Sequence, residues 1–578
     1  MNLERLIPAL SWLRNYRSSY FYFDLISGIN LGVSMIPKAM AYALVAGLPP
    51  IYGLYASFVA PLMAILFGSN RLLFTGPVGV MTVLVYTSLS PIAEPGSSEY
   101  VMLAATLSFM VGVLILLIAL LRLTFILNII SHAAVIGFVN AAALIITATQ
   151  LKYIFGVHVE KEEYIIMMFL NIVEKLPETN LLVLGLSVVA FVSMSLIHKR
   201  YPKVPETLVV LTVLTLVVYF GGLEERGVEV VGSLPSGLPE PAVPFGDVSK
   251  IGSLLIAAVV ISIVGMTETY SISKIVAYNT KQRVDFGQEF IGQGLANIAT
   301  AFFKGYPVCG SFSGTSVNWS SGARTGVSII IFSILTLLAI TVLTPLFTYL
   351  PKFMLAVIVI MAVMKLFKPQ QLLHIYRINR YDGAVAFTTF AVSLLLKPDD
   401  GIAVGVVLAL ALYVWKTMNT RVHVVTKDRE TGYFISSPDA SPSCTQILIL
   451  KPEGPWIYVN AEHMRDEVLR MVERYEGVRV VVLDMAAVYY LDTSGVDALK
   501  DLSEELENRN IKLMLIHVEE DIVDAMEKEG VIERVEIHNT KKEAISSAFR
   551  YLDAERCGAC DANVFRECRE GAGEARKD

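Results

Sequence analysis

Two short glycine-interrupted stretches, FTGPVGV at residues 74–80 and CGSFSGT at residues 309–315, are the best guide to how this chain folds. Each lies in an apolar region, begins with residues that extend a helix poorly and continues into residues that form one. Broken helices at matching places in two halves of a membrane chain indicate an inverted repeat around a ligand site. The alternative for either stretch alone is that its glycines only ease close helix crossing.

The chain around these stretches is apolar enough to cross a membrane many times. Of its 578 residues, 54% are hydrophobic and 17% are charged, against about 25% charged in soluble domains. Uncharged runs such as 100–121 and 325–351 reach the roughly 20 residues that cross the hydrocarbon core. The sequence predicts two broken segments, 76–90 and 310–321, and twelve ordinary ones, at 25–45, 55–67, 100–121, 133–151, 181–197, 207–222, 251–277, 290–303, 325–351, 354–364, 383–396 and 401–415.

The fourteen segments divide into two sets of seven, with a broken helix third in each set. A link rich in glycine and proline, residues 221–249, separates the two sets. We therefore expect a polytopic α-helical membrane protein built as a seven-plus-seven inverted repeat. The predicted divisions are a cytoplasmic segment 1–20, a transmembrane domain 21–420 with repeats of about 21–222 and 250–420, a soluble domain 421–555 and a tail 556–578.

The soluble part differs from the rest in charge and in pattern. Residues 421–578 hold 21 basic and 32 acidic side chains, a net charge of −11, whereas the preceding 420 residues carry +5. Strand-like runs alternate with helix-like runs, which predicts an α/β sheet domain. The predicted strands are 446–450, 456–459, 478–484 and 512–517.

The topology follows from basic residues near the first membrane segment. Arg5, Arg14 and Arg17 precede it, and the positive-inside rule places such a terminus in the cytoplasm. An even number of spans returns the C-terminal domain to the same side. We expect a multi-pass protein of the cell membrane, in contact with lipid, with both termini in the cytoplasm.

The two broken helices are predicted to form an anion site. A half-helix that begins inside the membrane leaves its first N–H groups unpaired and points the positive end of its dipole inward. Two such ends that face each other bind an anion without a formal charge. Glycines bring the backbone close to the ligand and hydroxyls add donors, which makes candidates of Thr75, Gly76, Gly79, Gly310, Ser311, Ser313, Gly314 and Thr315.

Glu268 is the acidic residue within the apolar run 251–277, whose other charge is Lys274. A carboxylate at that depth costs roughly 2.5–3.5 kcal/mol, and burial disfavours the charged form of a carboxyl. The sequence therefore predicts that Glu268 takes up and releases the coupling proton. The alternative is a structural ion pair with Lys274 or Lys38.

Lys38 lies in the first membrane segment, within IPKAMAY at residues 36–42. Pro37 removes a backbone hydrogen bond, so we expect the helix to open there. Tyr42 lies one turn later on the same side and can donate a hydrogen bond. Both are candidate anion contacts, although a lysine at this depth could also snorkel to the interface.

The other residue patterns argue against an enzyme, a cofactor and a metal site. Cys557, Cys560 and Cys568 cluster near the C-terminus without a fourth thiolate or a well-placed histidine, so we favour a loose reduced tail, and a metal site is the weaker alternative. No nucleophile–base arrangement or nucleotide-binding loop is present, so neither an enzyme nor an ATP-driven pump is expected. The acidic soluble part argues against nucleic-acid binding.

These motifs together resemble the SulP anion transporter family. The resemblance rests on IPKAMAY (36–42), GLPPIYGLY (47–55), FGSNR (67–71), GPV (76–78) and GSFS (310–313). It implies core and gate domains, a homodimer and a cytoplasmic STAS domain, and LDTSGV (491–496) is similar to the STAS loop that opens a helix.

The resemblance also implies roles for single residues. The anion would sit among Lys38, Tyr42, Gly76, Val78, Gly79, Ser311, Phe312 and Ser313. Glu268 matches the glutamate of proton-coupled plant sulfate transporters, whereas sodium-coupled bicarbonate members carry aspartate there. Ser494 matches a serine that is phosphorylated in stand-alone STAS proteins, and the alternative is that it caps its helix. The family usually has glutamine in place of Lys38, and many members have arginine in place of Gly314.

The leading hypothesis is a proton-coupled symporter of sulfate or a similar oxyanion that works by an elevator-like movement. The alternatives are a bicarbonate transporter or anion exchanger, and an uncoupled anion channel or anion sensor. The expected partners are a small inorganic anion, a proton, membrane lipid, a second copy of the chain and a cytoplasmic regulatory protein at the STAS domain.

Overall fold

The computed structural model describes residues 7–125, 131–159, 165–201, 204–232, 237, 240–246, 248–364, 366–396, 398–428, 431–437, 440–560 and 564–568. The chain forms two compact units, Met1–Ala409 and Leu410–Asp578. Within the described residues, nine helices are long and apolar enough to cross a membrane, and three shorter apolar helices accompany them.

At each predicted membrane segment the structure has a helix, and many of these helices extend beyond the predicted bounds. The first half holds α1 (Ala9–Arg14), α2 (Ser18–Val45), α3 (Pro50–Phe67), α4 (Gly79–Leu89), α5 (Ser98–Leu120), α6 (His132–Phe155), α7 (Ile165–Glu174), α8 (Leu181–Arg200) and α9 (Glu206–Phe220). The second half holds α10 (Ile251–Thr280), α11 (Phe286–Phe302), α12 (Phe312–Ser320), α13 (Val327–Leu338), a π-helical turn (Ala339–Leu343), α14 (Thr344–Phe347), α15 (Lys352–Met364), α16 (Pro369–Ile378), α17 (Arg380–Leu395) and α18 (Pro398–Met418). The short helices α1, α7 and α16 lie outside the predicted segments.

The two half-helices, α4 and α12, start from one short strand crossing. β1 (Thr75–Gly76) pairs antiparallel with β2 (Cys309–Gly310), and Gly76 lies opposite Cys309. α4 begins three residues after β1, and α12 begins two residues after β2. Because the strands are antiparallel, the two half-helices leave the crossing in opposite directions and their N-termini face each other. This arrangement is the predicted inverted repeat.

The helices of the first unit pack in two groups. Helices α2–α5 pack with α10–α13, whereas α6, α8 and α9 pack with α15, and α6 also packs with α17. In the first group, α5 and α11 touch backbone to backbone, because a Cβ on Gly112 would lie 2.7 Å from the carbonyl oxygen of Gly294. Small residues allow such close approach in membranes. The two groups correspond to the expected core and gate domains.

The second unit is an α/β domain. Its strands are β3 (Val422–Lys427), β4 (Phe434–Ser437), β5 (Ile447–Pro452), β6 (Val480–Asp484), β7 (Lys512–Ile516) and β8 (Glu536–His538). Its helices are α19 (Ala461–Arg474), α20 (Thr493–Asn508), α21 (Glu520–Lys528), α22 (Lys541–Ala548) and α23 (Ala554–Gly558). The sheet order is β4-β3-β5-β6-β7-β8, with β5 to β8 parallel and apolar clusters on its two faces.

One predicted strand, 456–459, is wrong. Trp456 makes a single bridge with Leu491, and the chain then turns into α19. The turn is fixed by Asn460, whose side-chain oxygen accepts a hydrogen bond from the Ile457 N–H at 2.8 Å. Asparagine side chains often replace a backbone turn in this way.

Ser494 lies second in α20 and does not cap it. Asp492 is the cap, since its Oδ1 accepts a hydrogen bond from the Gly495 N–H at 2.9 Å. The proposed capping role for Ser494 is therefore wrong, and its hydroxyl is half-buried at the start of the helix.

A close contact between Phe74 and Gly314 holds the two half-helix segments together. A Cβ on Gly314 would lie 2.2 Å from Cδ1 of Phe74. The Phe74 ring packs edge-on against the Phe332 ring, and the two ring centroids are 4.9 Å apart. The ring occupies the space that any side chain at 314 would enter. The packing of this chain therefore requires glycine at position 314.

We predict that Gly314→Ala destabilises the membrane unit by about 1–3 kcal/mol, the usual cost of overpacking a filled site. The check is the thermal midpoint of the purified protein in detergent. Gly185→Ala in α8 is the matched control, since nothing lies within 4 Å of a Cβ there. Equal midpoints for Gly314→Ala and the control would contradict the packing.

Asp484, at the end of β6, is buried beneath His517 and Lys541. It accepts hydrogen bonds from His517 Nδ1 and Lys541 Nζ, each at 2.7 Å. Burial raises the pKa of Asp484, but these bonds outweigh it and hold the pKa below its ordinary value of 3.8. A lowered folded pKa means that the ionised carboxylate stabilises the domain above the unfolded value, and that this contribution is lost as the pH falls through the folded pKa.

We predict that Asp484→Asn lowers the stability of the second unit by about 1.5–3 kcal/mol at pH 7, the range for hydrogen bonds to a charged group. The difference from the unsubstituted protein should shrink as the pH falls below 3.8. Calorimetry of the full-length protein at pH 7 and at pH 3 measures both. A deficit that stays the same at the two pH values would show that the charge is not the cause.

Candidate functional site

Glu268 lies in α10 directly against the strand crossing. Its Oε2 accepts a hydrogen bond from Cys309 Sγ at 3.3 Å, and the carboxyl is partly buried. The next residue, Thr269, accepts a hydrogen bond from the Gly310 N–H at 3.0 Å. Since Cys309 pairs with Gly76, the carboxyl lies where the segments that lead into the two half-helices meet.

Two neighbours of Glu268 decide between the alternatives stated for it. Lys274 does not pair with the carboxyl, because its Nζ lies over the ring of Tyr270, 5.7 Å from the centroid. Tyr42 of α2 is close enough to Glu268 for the two groups to interact electrostatically. The structure therefore brings Tyr42 and Glu268, predicted separately, into one site.

The N-terminus of α4 opens beside Tyr42. A Cβ on Gly79 would lie 3.5 Å from Cε1 of Tyr42. Val78 occupies the cap position and offers no side-chain hydrogen bond to the helix. The first N–H groups of α4 therefore stay available to a ligand, as the sequence predicts for a half-helix inside the membrane.

The N-terminus of α12 is partly capped by its own chain. Ser311 Oγ accepts a hydrogen bond from the Gly314 N–H at 3.2 Å and lies 3.4 Å from Ser313 Oγ. Ser311 is buried, whereas the Phe312 side chain is 55% exposed. The two serine hydroxyls and the N–H groups of Phe312 and Ser313 are the donors at this end.

Thr75 and Thr315, predicted as hydroxyl donors, brace the scaffold. Thr75 Oγ1 accepts a hydrogen bond from Gln293 Nε2 at 2.7 Å. Thr315 Oγ1 accepts one from the Phe74 N–H at 3.0 Å. Both hydroxyls are buried, and each ties one half-helix segment to another element.

Lys38 lies on α2, one turn before Tyr42. The helix continues through Pro37 from Ser18 to Val45, so the expected local opening is wrong. The ammonium lies 3.5 Å from Ser34 Oγ, one turn further back, and thus reaches away from Tyr42.

A polar stripe on α11 was missed by the sequence reasoning. Glu289, Gln293 and Asn297 recur every four residues, which places them on one helix face. All three are buried, and Asn297 pairs its amide with the N–H and carbonyl of Val308, just before β2. The regular spacing, which starts one residue before the predicted segment 290–303, was the signal that could have found them.

Glu289 anchors the loop that leads to the first half-helix. Its Oε2 accepts hydrogen bonds from the N–H groups of Ser69 and Asn70 at 2.9 and 2.7 Å, and from Ser69 Oγ at 3.3 Å. Through Gln293, which bonds Thr75, the same helix also holds β1. A buried charge is tolerated when hydrogen bonds surround it in this way.

Sequence comparisons match both units. The description of the sulfate permease family fits residues 21–389, and that of the STAS domain fits residues 441–544. Sulfate transporter 4.1, chloroplastic, of Arabidopsis thaliana is 31% identical over 557 residues, which cover 92% of this chain and 80% of that protein. High affinity sulfate transporter 2 of Stylosanthes hamata is 29% identical over 560 residues, which cover 93% of this chain and 84% of that protein.

Solved structures share the fold. The murine Solute Carrier 26 family member A9 anion transporter, in the inward-facing state, aligns over 95% of this chain and 94% of that chain with a TM-score of 0.87 and 24% identity. The transmembrane domain of the cyanobacterium bicarbonate transporter BicA aligns over 68% of this chain and 98% of that chain, with a TM-score of 0.58 and 21% identity. With the family description matched over more than half of its length, this polytopic helical membrane protein with a C-terminal STAS domain belongs to the sulfate permease family.

Proposed function

We propose that this chain is a secondary active anion transporter that carries sulfate or a related oxyanion together with a proton. The observation that carries the proposal is the position of Glu268, a carboxyl held by Cys309 at the crossing that leads into both half-helices. The names of the plant relatives, which are sulfate transporters, support the choice of substrate.

The anion is proposed to bind between the two helix N-termini. The N–H groups of Gly79, Phe312 and Ser313 and the hydroxyls of Tyr42 and Ser313 supply hydrogen bonds to the oxyanion. Helix dipoles add a positive potential without a formal charge. Lys38, one turn from Tyr42, adds a long-range positive charge on the same helix.

The proton is proposed to bind Glu268 rather than Glu289. Glu289 accepts two backbone N–H bonds and a hydroxyl bond, which fix its carboxyl to the loop before β1. Glu268 accepts one bond, from a thiol, which is a weak donor. The less supported carboxyl is the one that can change its protonation state during a transport cycle.

The movement is proposed to be elevator-like. Every residue of the proposed site lies on α2, α4, α10, α12 or the crossing between them, which belong to one packed group of helices. That group can therefore carry anion and proton as one body against the group around α6, α8, α9 and α15. Protonation of Glu268 removes a negative charge from the moving body, which lowers the cost of its passage through lipid.

We propose that the protein works as a homodimer in the cell membrane, with both termini and the STAS domain in the cytoplasm. A cytoplasmic regulatory protein binds the STAS domain, where Ser494 at the start of α20 is the proposed phosphorylation site.

We predict that Glu268→Gln abolishes the stimulation of sulfate uptake by an inward proton gradient, because glutamine cannot exchange a proton. The measurement is labelled sulfate uptake into proteoliposomes, with and without the gradient. Glu99→Gln is the matched control, since Glu99 is an exposed carboxylate paired with Lys250. Gradient-driven uptake that persists in Glu268→Gln rules out the coupling.

We predict that Tyr42→Phe raises the apparent KM for sulfate by about 10- to 150-fold, because a lost hydrogen bond to a charged group is worth about 1.5–3 kcal/mol. The proton stimulation should remain, since Glu268 is intact. Tyr349→Phe, at an exposed tyrosine, is the control. Competition of uptake by bicarbonate, chloride and nitrate, measured alongside, identifies the preferred anion, and stronger competition by bicarbonate than by unlabelled sulfate contradicts the proposed substrate.

A further inference from the structure

Four cysteines from distant parts of the second unit line one cavity. Cys444 precedes β5, Cys557 lies in α23, and Cys560 and Cys568 follow it in the sequence. All four contribute to the wall of a cavity of about 210 Å³. The C-terminal cluster lacked a fourth thiol in the sequence, and the fold supplies it as Cys444.

The chain end that carries three of these thiols is docked on the domain, so the expectation of a loose tail is wrong for its described residues. Phe565 is 4% exposed and packs with the apolar cluster that contains β5 and β6 side chains. Lys427 Nζ donates a hydrogen bond to the Val564 carbonyl at 3.1 Å, and Ser546 Oγ donates one to Glu567 at 2.6 Å. These contacts hold Cys568 beside the sheet.

Gln446, a buried residue at the start of β5, links two of the thiols. Its Oε1 accepts a hydrogen bond from the Asp553 N–H at 2.8 Å, and its Nε2 lies 3.3 Å from Cys557 Sγ. Its backbone N–H donates to Cys444 Sγ at 3.4 Å. One residue therefore positions α23 and the Cys557 thiol over Cys444.

We propose that Cys444, Cys557, Cys560 and Cys568 bind a metal centre through four thiolates, either a zinc ion or an iron–sulfur cluster. Both kinds of centre take four cysteine ligands, and a Cys-x-x-Cys pair joined by two more distant cysteines is a spacing that such sites use.

The thiols must move to close on a metal. Among the described residues, no three histidine, cysteine or acidic side chains already surround one point closely enough to hold an ion. Each thiol can rotate between staggered positions, and α23, which carries Cys557, is a helix of five residues. Closure would clamp the chain end to the start of β5, so that metal binding adds to the stability of the domain.

The test is the metal content of the full-length protein, purified without a histidine tag under anaerobic, reducing conditions and washed with a chelator. We expect about one zinc per chain, or about four irons with about four acid-labile sulfides. The double variant Cys557→Ser/Cys560→Ser should hold at least tenfold less metal. Cys309→Ser, which removes the thiol of the membrane unit, should hold the full amount.

Less than a tenth of an equivalent of zinc and iron in the unsubstituted protein overturns the proposal, whether or not any variant folds. A folded double variant that keeps its metal also overturns the proposal. The competing possibility is that these cysteines form disulfide bonds instead of binding a metal. Titration of the thiols in denaturant, with chelator and without reductant, tests it. All five cysteines should react, and fewer than five would show disulfide bonds and overturn the proposal.

Discussion

The unpaired backbone of the two half-helices is the constraint on which the membrane unit depends. In hydrocarbon, every backbone N–H and carbonyl needs a partner inside the protein, and a helix that begins at depth breaks that rule. Nearby groups supply most of these partners. β1 and β2 pair with each other, the Asn297 amide bonds the N–H and carbonyl of Val308, and Ser311 caps α12. The N–H groups that remain face one another, and a transported anion is the partner that suits them.

Two carboxyls contact the same crossing. Glu289 and Gln293 hold the segment before α4 from one side, and Glu268 approaches β2 from another. Backbone N–H donors fix Glu289, whereas a single thiol bonds Glu268, and this difference is why we propose Glu268 as the coupling acid. Both acids lie within one packed group of helices, and the helices of that group come from both halves of the chain.

Much of the fold could be predicted because its signals are local in the sequence. Uncharged runs gave the fourteen segments, and the glycine-rich breaks gave the paired half-helices. What the sequence could not show was which side chains meet, such as Cys309 with Glu268. Pro37 did not open α2, because the rest of the helix kept its hydrogen bonds and packing. The Trp456 segment failed as a strand because the Asn460 side chain turns it, a contact that apolar alternation does not reveal.

The claim that Glu268 carries the coupling proton is tested most directly by proton entry itself. A pH-sensitive dye sealed inside proteoliposomes reports it when sulfate is added outside without a preset gradient. The account predicts that sulfate acidifies the interior with the unsubstituted protein, and that Glu268→Gln still admits labelled sulfate but produces no acidification. Equal acidification by the two proteins would contradict the account.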